Sequence, residues 1–438
     1  MNIPETLDWM SVNRPALLAL IRVLILVLPI LILVPGFIWL ERRLLSWMQD
    51  RIGPNRAGTF PKDFPIKFLR GKRTFGLLQP IADGVKLFFK EDITPASVDR
   101  LLYFLSPAVA LFPAFALGGT LPWGPNWGPY QHLTPIWNAE IGILYMLAIS
   151  SLGVYGVVLS GYSSNNKYSL LGGLRSAAQL ISYELAMSVS LAAIVMASGS
   201  LRLQAIVEAQ ETPLWGVIPY AHNWFILTPF GFVAAIIFYI CMIAETNRAP
   251  FDLPEAENEI IAGYHTEYSS MKFAVFFMGE YAAMFVFACL FSVVFLGGYN
   301  LPLNWVAISG ENSVMAGLNY WLAPLTFLVK SLLVFSTFIW VRATLPRMRY
   351  DQLMALGWKN LLPAAVANFI VVAIWIMGSK AYGPQGGIVA YVGAALIVVA
   401  LYFAVTRQTK AAKAFERRKV DLTEGDTPSP TRRSVELV

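Results

Sequence analysis

"ALLALIRVLILVLPILILVPGFIWL", Ala16 to Leu40, carries a single charged residue, Arg22, in a run that is otherwise apolar. A soluble helix of that length would show a polar stripe, and this one has none. A helix needs roughly 20 apolar residues to cross ~30 Å of hydrocarbon, so the run reads as a membrane span. Working outward, eight more candidates follow: 100–121, 138–160, 176–199, 224–244, 271–297, 320–341, 361–378 and 386–406. With 56% hydrophobic and 14% charged residues, the chain of 438 is expected to be an all-α polytopic membrane protein of about nine transmembrane helices. No basic region, short apolar core and small-residue cleavage site precede the first span, which therefore reads as an anchor.

Basic residues give the orientation. Of 33 Lys and Arg, 28 lie in 41–100, 161–175, 245–272, 342–360 and beyond 406, loops that nine spans would place on one side. Lys and Arg are retained on the cytoplasmic side, so the N-terminus is expected outside and the C-terminus inside. The pI near 9.1 then reports topology and gives no argument for nucleic-acid binding. Cys241 and Cys289 both fall in apolar spans, and His132, His222 and His265 lie in loops or at span ends. An iron–sulfur cluster needs about four clustered thiolates, and no Gly-rich nucleotide fingerprint appears. The chain is expected to carry no flavin, haem, metal or iron–sulfur cluster of its own.

Charge placement then becomes the puzzle. "AETNRAPFDLPEAENEIIAGYHTEY", Ala244 to Tyr268, packs six carboxylates between two apolar spans, with Arg248 as its only Lys or Arg. Pro250 and Pro254 break any helix running on from the preceding span, and Asp252, Glu255 and Glu259 share a face once a helix resumes. Glu184, Glu280 and Lys330 sit inside spans, and Glu245 closes one. A charge at mid-membrane costs roughly 2.5–3.5 kcal/mol on insertion scales and persists when paired, hydrated or used. A Glu–Lys pair gluing helices together is the bland reading; a proton relay is the alternative, since crowded carboxyls titrate interdependently. Elsewhere, "GLLQPIADGVKLFFKED", Gly76 to Asp92, is too short and charged to span. It predicts an amphipathic interfacial helix from Pro80, with Leu77, Ile81, Val85, Phe88 and Phe89 on one side.

Five stretches together carry a family resemblance: "LERRLLSWMQDRIGPNRAG" (Leu40–Gly58), "GLLQPIADGVKLFFKED", "SNNKYSLLGGLRSAAQLISYEL" (Ser164–Leu185), "AETNRAPFDLPEAENEI" with "EYSSMKFAVFFMGEY", and "FIWVRATLPRMRYDQLMALGWKNLLP" (Phe338–Pro363). The sequence resembles the H subunit of the bacterial NADH–quinone oxidoreductase, respiratory complex I, from about residue 15 to 378. That resemblance implies a membrane subunit of the quinone chamber, with flavin, clusters and NADH site on other subunits and no catalytic redox centre here. It implies quinone, ubiquinone or menaquinone, as substrate. The implied partners are the quinone-site subunits of the peripheral arm, the subunits of the membrane arm, and lipid. The implied location is a bacterial plasma membrane. By motif, Glu41, Arg42, Arg51 and Asp83 would lie near the quinone passage. Arg248, Asp252, Glu255, Glu257 and Glu259 would form the loop facing the chamber. Glu184, Glu245, Glu280 and Lys330 would form the proton path, and Arg342, Arg347, Arg349 and Asp351 the docking surface for the other subunits.

Two stretches depart from the family pattern. "TFPKDFPIKFLRGKRTF", Thr59 to Phe75, is longer than the usual link and carries five basic residues; it reads as a contact to anionic lipid or a peripheral subunit, or as a surface insertion. "GGIVAYVGAALIVVALYFAVTRQTK", from Gly386, reads as a ninth helix. The expected organisation is a non-cytoplasmic segment at 1–15, the family-like domain at 16–378, the extra helix at 379–410 and a disordered tail at 411–438. A secondary transporter, a homologous subunit of a hydrogenase, deazaflavin-linked or plastoquinone enzyme, and a plain structural anchor are the rival readings. Absence of an inverted internal repeat counts against the first.

Overall fold

In the computed structural model of the protein, residues 15–55, 75–125, 138–214, 218–253, 261–301, 314–383, 388–389 and 391–396 are described. Besides a further helical stretch at 388–389 and 391–396, they form ten main helices in chain order. These are α1 (Pro15–Met48), α2 (Gln79–Phe89), α3 (Arg100–Gly118), α4 (Gly142–Ser163), α5 (Lys167–Ser198), α6 (Leu203–Ala209), α7 (Pro229–Glu245), α8 (Ser270–Phe295), α9 (Val314–Thr344) and α10 (Tyr350–Gly383). Seven of them are long and apolar enough to cross a membrane, and α7, at 17 residues, is a shorter apolar helix. These eight match the first eight expected spans. The ninth, 386–406, lies largely outside the described residues. A short antiparallel hairpin, β1 (Pro213–Leu214) with β2 (Ile218–His222), interrupts the helices between α6 and α7.

One boundary moves. The stretch after Asn166, expected to be a loop leading into a span at 176, is already helical from Lys167. The Asn166 side chain caps that helix by accepting from Tyr168 N at 3.0 Å, as short polar side chains do at helix starts. One face of this turn, carrying Ser169, Gly172, Gly173 and Ser176, is buried against neighbours, while Lys167, Tyr168 and Leu171 are exposed. A Cβ on Gly172 would stand 2.8 Å from Gly263 Cα, and one on Gly156 would stand 2.6 Å from Ala110 N of α3. Close backbone approach at small residues is how helices associate where lipid supplies no hydrophobic drive. Chain neighbours α3, α4 and α5 pack in sequence, α8 lies against α3 and α9, and α7 against α5. Phe37 joins α1 to the bundle, its ring 4.8 Å from Phe285 and 4.5 Å from Phe335.

α2 begins with Pro80 in its first turn, where the missing N–H is no loss. Its apolar residues Ile81, Val85, Phe88 and Phe89 are exposed on this chain, together with Leu77 just before it. Ser270 Oγ donates to Leu87 O at 2.8 Å and to Lys90 O at 3.2 Å, fixing the end of α2 to the start of α8. A π-helical turn over Leu356–Leu361 interrupts α10. The chain divides into two compact units, Met1–Phe369 and Ile370–Val438; the described residues of the second unit are helical.

Candidate functional site

Three of the expected acids converge on the end of α7. Glu245 closes that helix, Glu280 projects from α8, and both line a cavity of about 80 Å³ whose other walls include Ser150, Tyr264 and Phe287. Among the described residues, Glu245 Oε2 is buried with no hydrogen-bond partner, and its carboxyl interacts electrostatically with that of Glu184 on α5. Gln179, five residues before Glu184 on α5, locks this corner together. Its amide donates to Ala244 O and Phe251 O, both at 2.8 Å.

From Glu280 a chain of contacts runs to the start of the motif "LERR". Tyr264 Oη donates to Glu280 Oε1 at 2.9 Å, and Arg248 Nη2 lies 3.7 Å from Glu280 Oε2. The Arg248 guanidinium also sits over the Tyr281 ring, 4.4 Å from its centroid, and near the Phe277 ring at 5.7 Å. Tyr281 Oη donates to Glu41 Oε2 at 2.5 Å, while Arg342 of α9 pairs with Glu41 Oε1. Glu41 is only 4% exposed, so a buried carboxylate here is held by one phenol and one guanidinium.

The remaining expected residues divide into groups. Arg42 pairs with Asp83 of α2 at 2.8 Å, half-exposed, tying α1 to α2. Arg51 is exposed and bonds to Gln49; the neighbouring loop is held instead by Arg43, which donates to Ile52 O and Pro54 O. Asp252 lies 3.7 Å from Arg347, and Met348 N donates to Pro250 O at 3.1 Å, so the stretch after α7 and the stretch after α9 meet. Arg349 and Asp351 sit at the start of α10, where the Arg349 backbone N–H donates to Gln352 Oε1. Glu255, Glu257 and Glu259 lie outside the described residues. Glu267 proves to be a tie: it accepts from Asn166 Nδ2 at 2.7 Å, and its carbonyl accepts from Tyr103 Oη at 2.8 Å.

Lys330 stands apart from the three carboxylates. Its Nζ donates to Leu296 O at 2.6 Å, Gly298 O at 3.0 Å and Asn300 O, at the far end of α8 from Glu280. Leu296 is sixteen residues beyond Glu280, about 24 Å at 1.5 Å per residue. Besides the acids, Tyr264, Tyr281 and Gln179 carry much of the geometry. Tyr281 adjoins Glu280 in "GEY", but consecutive helical positions point about 100° apart, so the two face different partners. Among the described residues, no group of three or more His, Cys, Asp or Glu is placed to hold a metal ion.

A family profile described as NADH dehydrogenase matches residues 21–373. Similar curated proteins are H subunits of NADH-quinone oxidoreductase. The chain is 44% identical over 373 residues to one of these from Koribacter versatilis, covering 82% of this chain and 97% of that one. It is 45% identical over 354 residues to the H subunit of Leptospira biflexa, covering 78% and 90% respectively. With the Cupriavidus pinatubonensis protein of the same name the identity is 41% over 382 residues, covering 84% and 98%.

Proposed function

The chain belongs to the NADH dehydrogenase family, as an H subunit of NADH-quinone oxidoreductase, and from that premise we propose that it couples quinone reduction to proton movement through its buried carboxylates. It is a membrane subunit of complex I, and the other subunits of that enzyme are its partners. On this reading it forms the membrane wall of a quinone chamber completed by peripheral-arm subunits. The substrate is ubiquinone or menaquinone. The N-terminus faces outward and the C-terminus the cytoplasm. Residues 16–378 act as the family domain, 379–410 as an added lipid-contacting helix and 411–438 as a cytoplasmic tail.

The observation that supports the reading most is the cavity shared by Glu245 and Glu280, joined through Arg248 and Tyr281 to Glu41. Reduction of a quinone to a quinol consumes two protons for two electrons. Glu41, Arg42 and Asp83, with Arg51 and Arg248, border the passage at which that demand is felt, and Asp252, Glu255, Glu257 and Glu259 form the loop beside it. A change of charge at Glu41 alters the field on Arg248, which is shared between the Tyr281 ring and Glu280. Glu280 and Glu245 face one small cavity, and Glu245 and Glu184 repel each other when both are charged. Their protonations are therefore interdependent, the property a relay requires. Arg342 serves both Glu41 and the cytoplasmic surface, where Arg347, Arg349 and Asp351 contact the docked subunits.

The test is the ratio of protons to electrons. In assembled enzyme reconstituted in vesicles, the double variant Glu184→Gln with Glu280→Gln should pump fewer protons per NADH oxidised. An unchanged ratio would sink the relay.

A further inference from the structure

We propose that Lys330 is a fixed positive barrier that seals the far end of the carboxylate path, rather than a station within it. The proposal rests on the relay reading above and assigns this residue a different task.

The geometry is that of a saturated ammonium. A lysine ammonium has three donors and no acceptor, and Lys330 Nζ spends them on Leu296 O, Gly298 O and Asn300 O. The three carbonyls converge because Gly297 and Gly298 turn the backbone through φ of +69° and +53° directly after α8. The indole of Trp224 closes the remaining side, its ring centre 4.3 Å from Nζ, in the position expected for a cation over a π face. Lys330 is 8% exposed. Backbone carbonyls do not take up protons at physiological pH, so none of these partners can carry one onward. The three carbonyls match in number the three donors of the ammonium form.

The surroundings fit a seal. Asn300, whose carbonyl holds Lys330, donates through its side-chain amide to Glu211 Oε1 at 3.1 Å. The Glu211 carbonyl is 3.3 Å from His222 Nδ1. Glu208 adds a further carboxylate beside Tyr299, which accepts from Gln204 at 2.8 Å. Among the described residues no carboxylate pairs directly with Lys330, and Glu211 is linked to it only through Asn300. A positive charge pinned in place repels protons and cations, the device by which pores are made tight to them. At one end of α8 the carboxylates can hold protons; at the other, a pinned ammonium stops them passing uncontrolled.

Passive leak provides the test, measured without NADH so that the relay plays no part. Assembled enzyme carrying Lys330→Met would be reconstituted in phosphatidylethanolamine–phosphatidylglycerol vesicles with a pH-sensitive dye inside. After an imposed pH step under a potassium–valinomycin clamp, the variant should equilibrate several-fold faster than wild type, and Lys330→Arg should restore most of the tightness. Wild-type leak in Lys330→Met overturns the barrier, whether or not its pumping ratio falls. If that variant does not assemble, Trp224→Leu with Lys330 intact should still raise the leak, and wild-type leak there overturns the proposal equally. Failure of the relay alone would appear as an unchanged pumping ratio in the Glu184 and Glu280 variants and would leave the leak result standing.

Discussion

Tyr281 and Glu41, 240 residues apart in sequence, meet in a 2.5 Å hydrogen bond at the junction of α8 with α1. Glu41 is 4% exposed and its other oxygen is taken by Arg342. Replacing Tyr281 with Phe leaves one carboxylate oxygen buried and unsatisfied, a loss of about 1–3 kcal/mol. The expected outcome is an assembled enzyme with a lower melting temperature and quinone reductase activity reduced several-fold. Arg342→Ala should be worse for activity, although Arg342 is 40% exposed and solvent screens part of the loss. Activity equal to wild type in Tyr281→Phe would remove Glu41 from the working site.

Glu245 makes a contrasting case. Among the described residues its Oε2 atom is buried without a partner, so Glu245→Gln removes an ionisable group that the fold leaves unsatisfied. Thermal stability should hold or rise slightly, while protons pumped per electron should fall. Paired melting and dye-quench measurements on one preparation check both arms. A loss of stability with intact pumping would make Glu245 structural.

Gly172→Ala probes the support of Tyr264. The added methyl would lie 2.8 Å from Gly263 Cα and 2.9 Å from Tyr264 N, and overpacking of this kind costs about 1–3 kcal/mol. The Gly263–His265 turn must then shift, taking the Tyr264 hydroxyl away from Glu280. Less assembled complex on a native gel, and lower pumping by what does assemble, are expected. Gly36→Ala, with nothing within 4 Å of the new methyl, is the silent control.

His222 supplies a pH dependence outside the spans. Burial lowers its pKa from the ordinary 6.5, the nearby Lys330 charge lowers it further, and the Glu211 carbonyl partly opposes this. The folded chain holds the imidazole neutral where the unfolded one would charge it. Its penalty is therefore absent above the ordinary value and grows as pH falls below it. Glu211 works oppositely: burial raises its carboxyl, so acid relieves its cost. Hydrogen exchange at 218–222, corrected for intrinsic rate, should speed up between about pH 7.5 and about pH 5.5. His222→Gln should flatten that change and Glu211→Gln should steepen it. No difference between wild type and His222→Gln would place the acid sensitivity elsewhere.

The spans were legible because each needs only a continuous apolar run, a local property. The beginning of α5 was not: "KYSLLGGLR" is too polar for a hydropathy reading, and its helicity depends on the Asn166 cap and on glycine contacts with α4 and with Gly263. Asp83 with Arg42 and the grouping of Glu245 with Glu280 followed from motifs. Arg342 reads from its motif as part of a docking surface, whereas in the fold it reaches Glu41 across 301 positions that no local pattern records. Lys330 shows the opposite failure. A charge in a span suggests a carboxylate partner, yet backbone carbonyls at a glycine turn satisfy this one, and glycine turns are invisible to charge counting.

The π turn at Leu356–Leu361 sets the phase of α10. Trp358 Nε1 donates to Ser182 Oγ at 3.0 Å and Tyr183 Oη to Leu353 O at 3.0 Å, so the widened turn is clasped beside Glu184. A π turn holds one residue more than an α turn. Excising a single residue there would let the turn revert to regular winding with the flanking residues kept near their angular positions. This membrane helix should therefore tolerate a one-residue deletion at that point better than one elsewhere along its length, because only there does it hold a surplus amino acid.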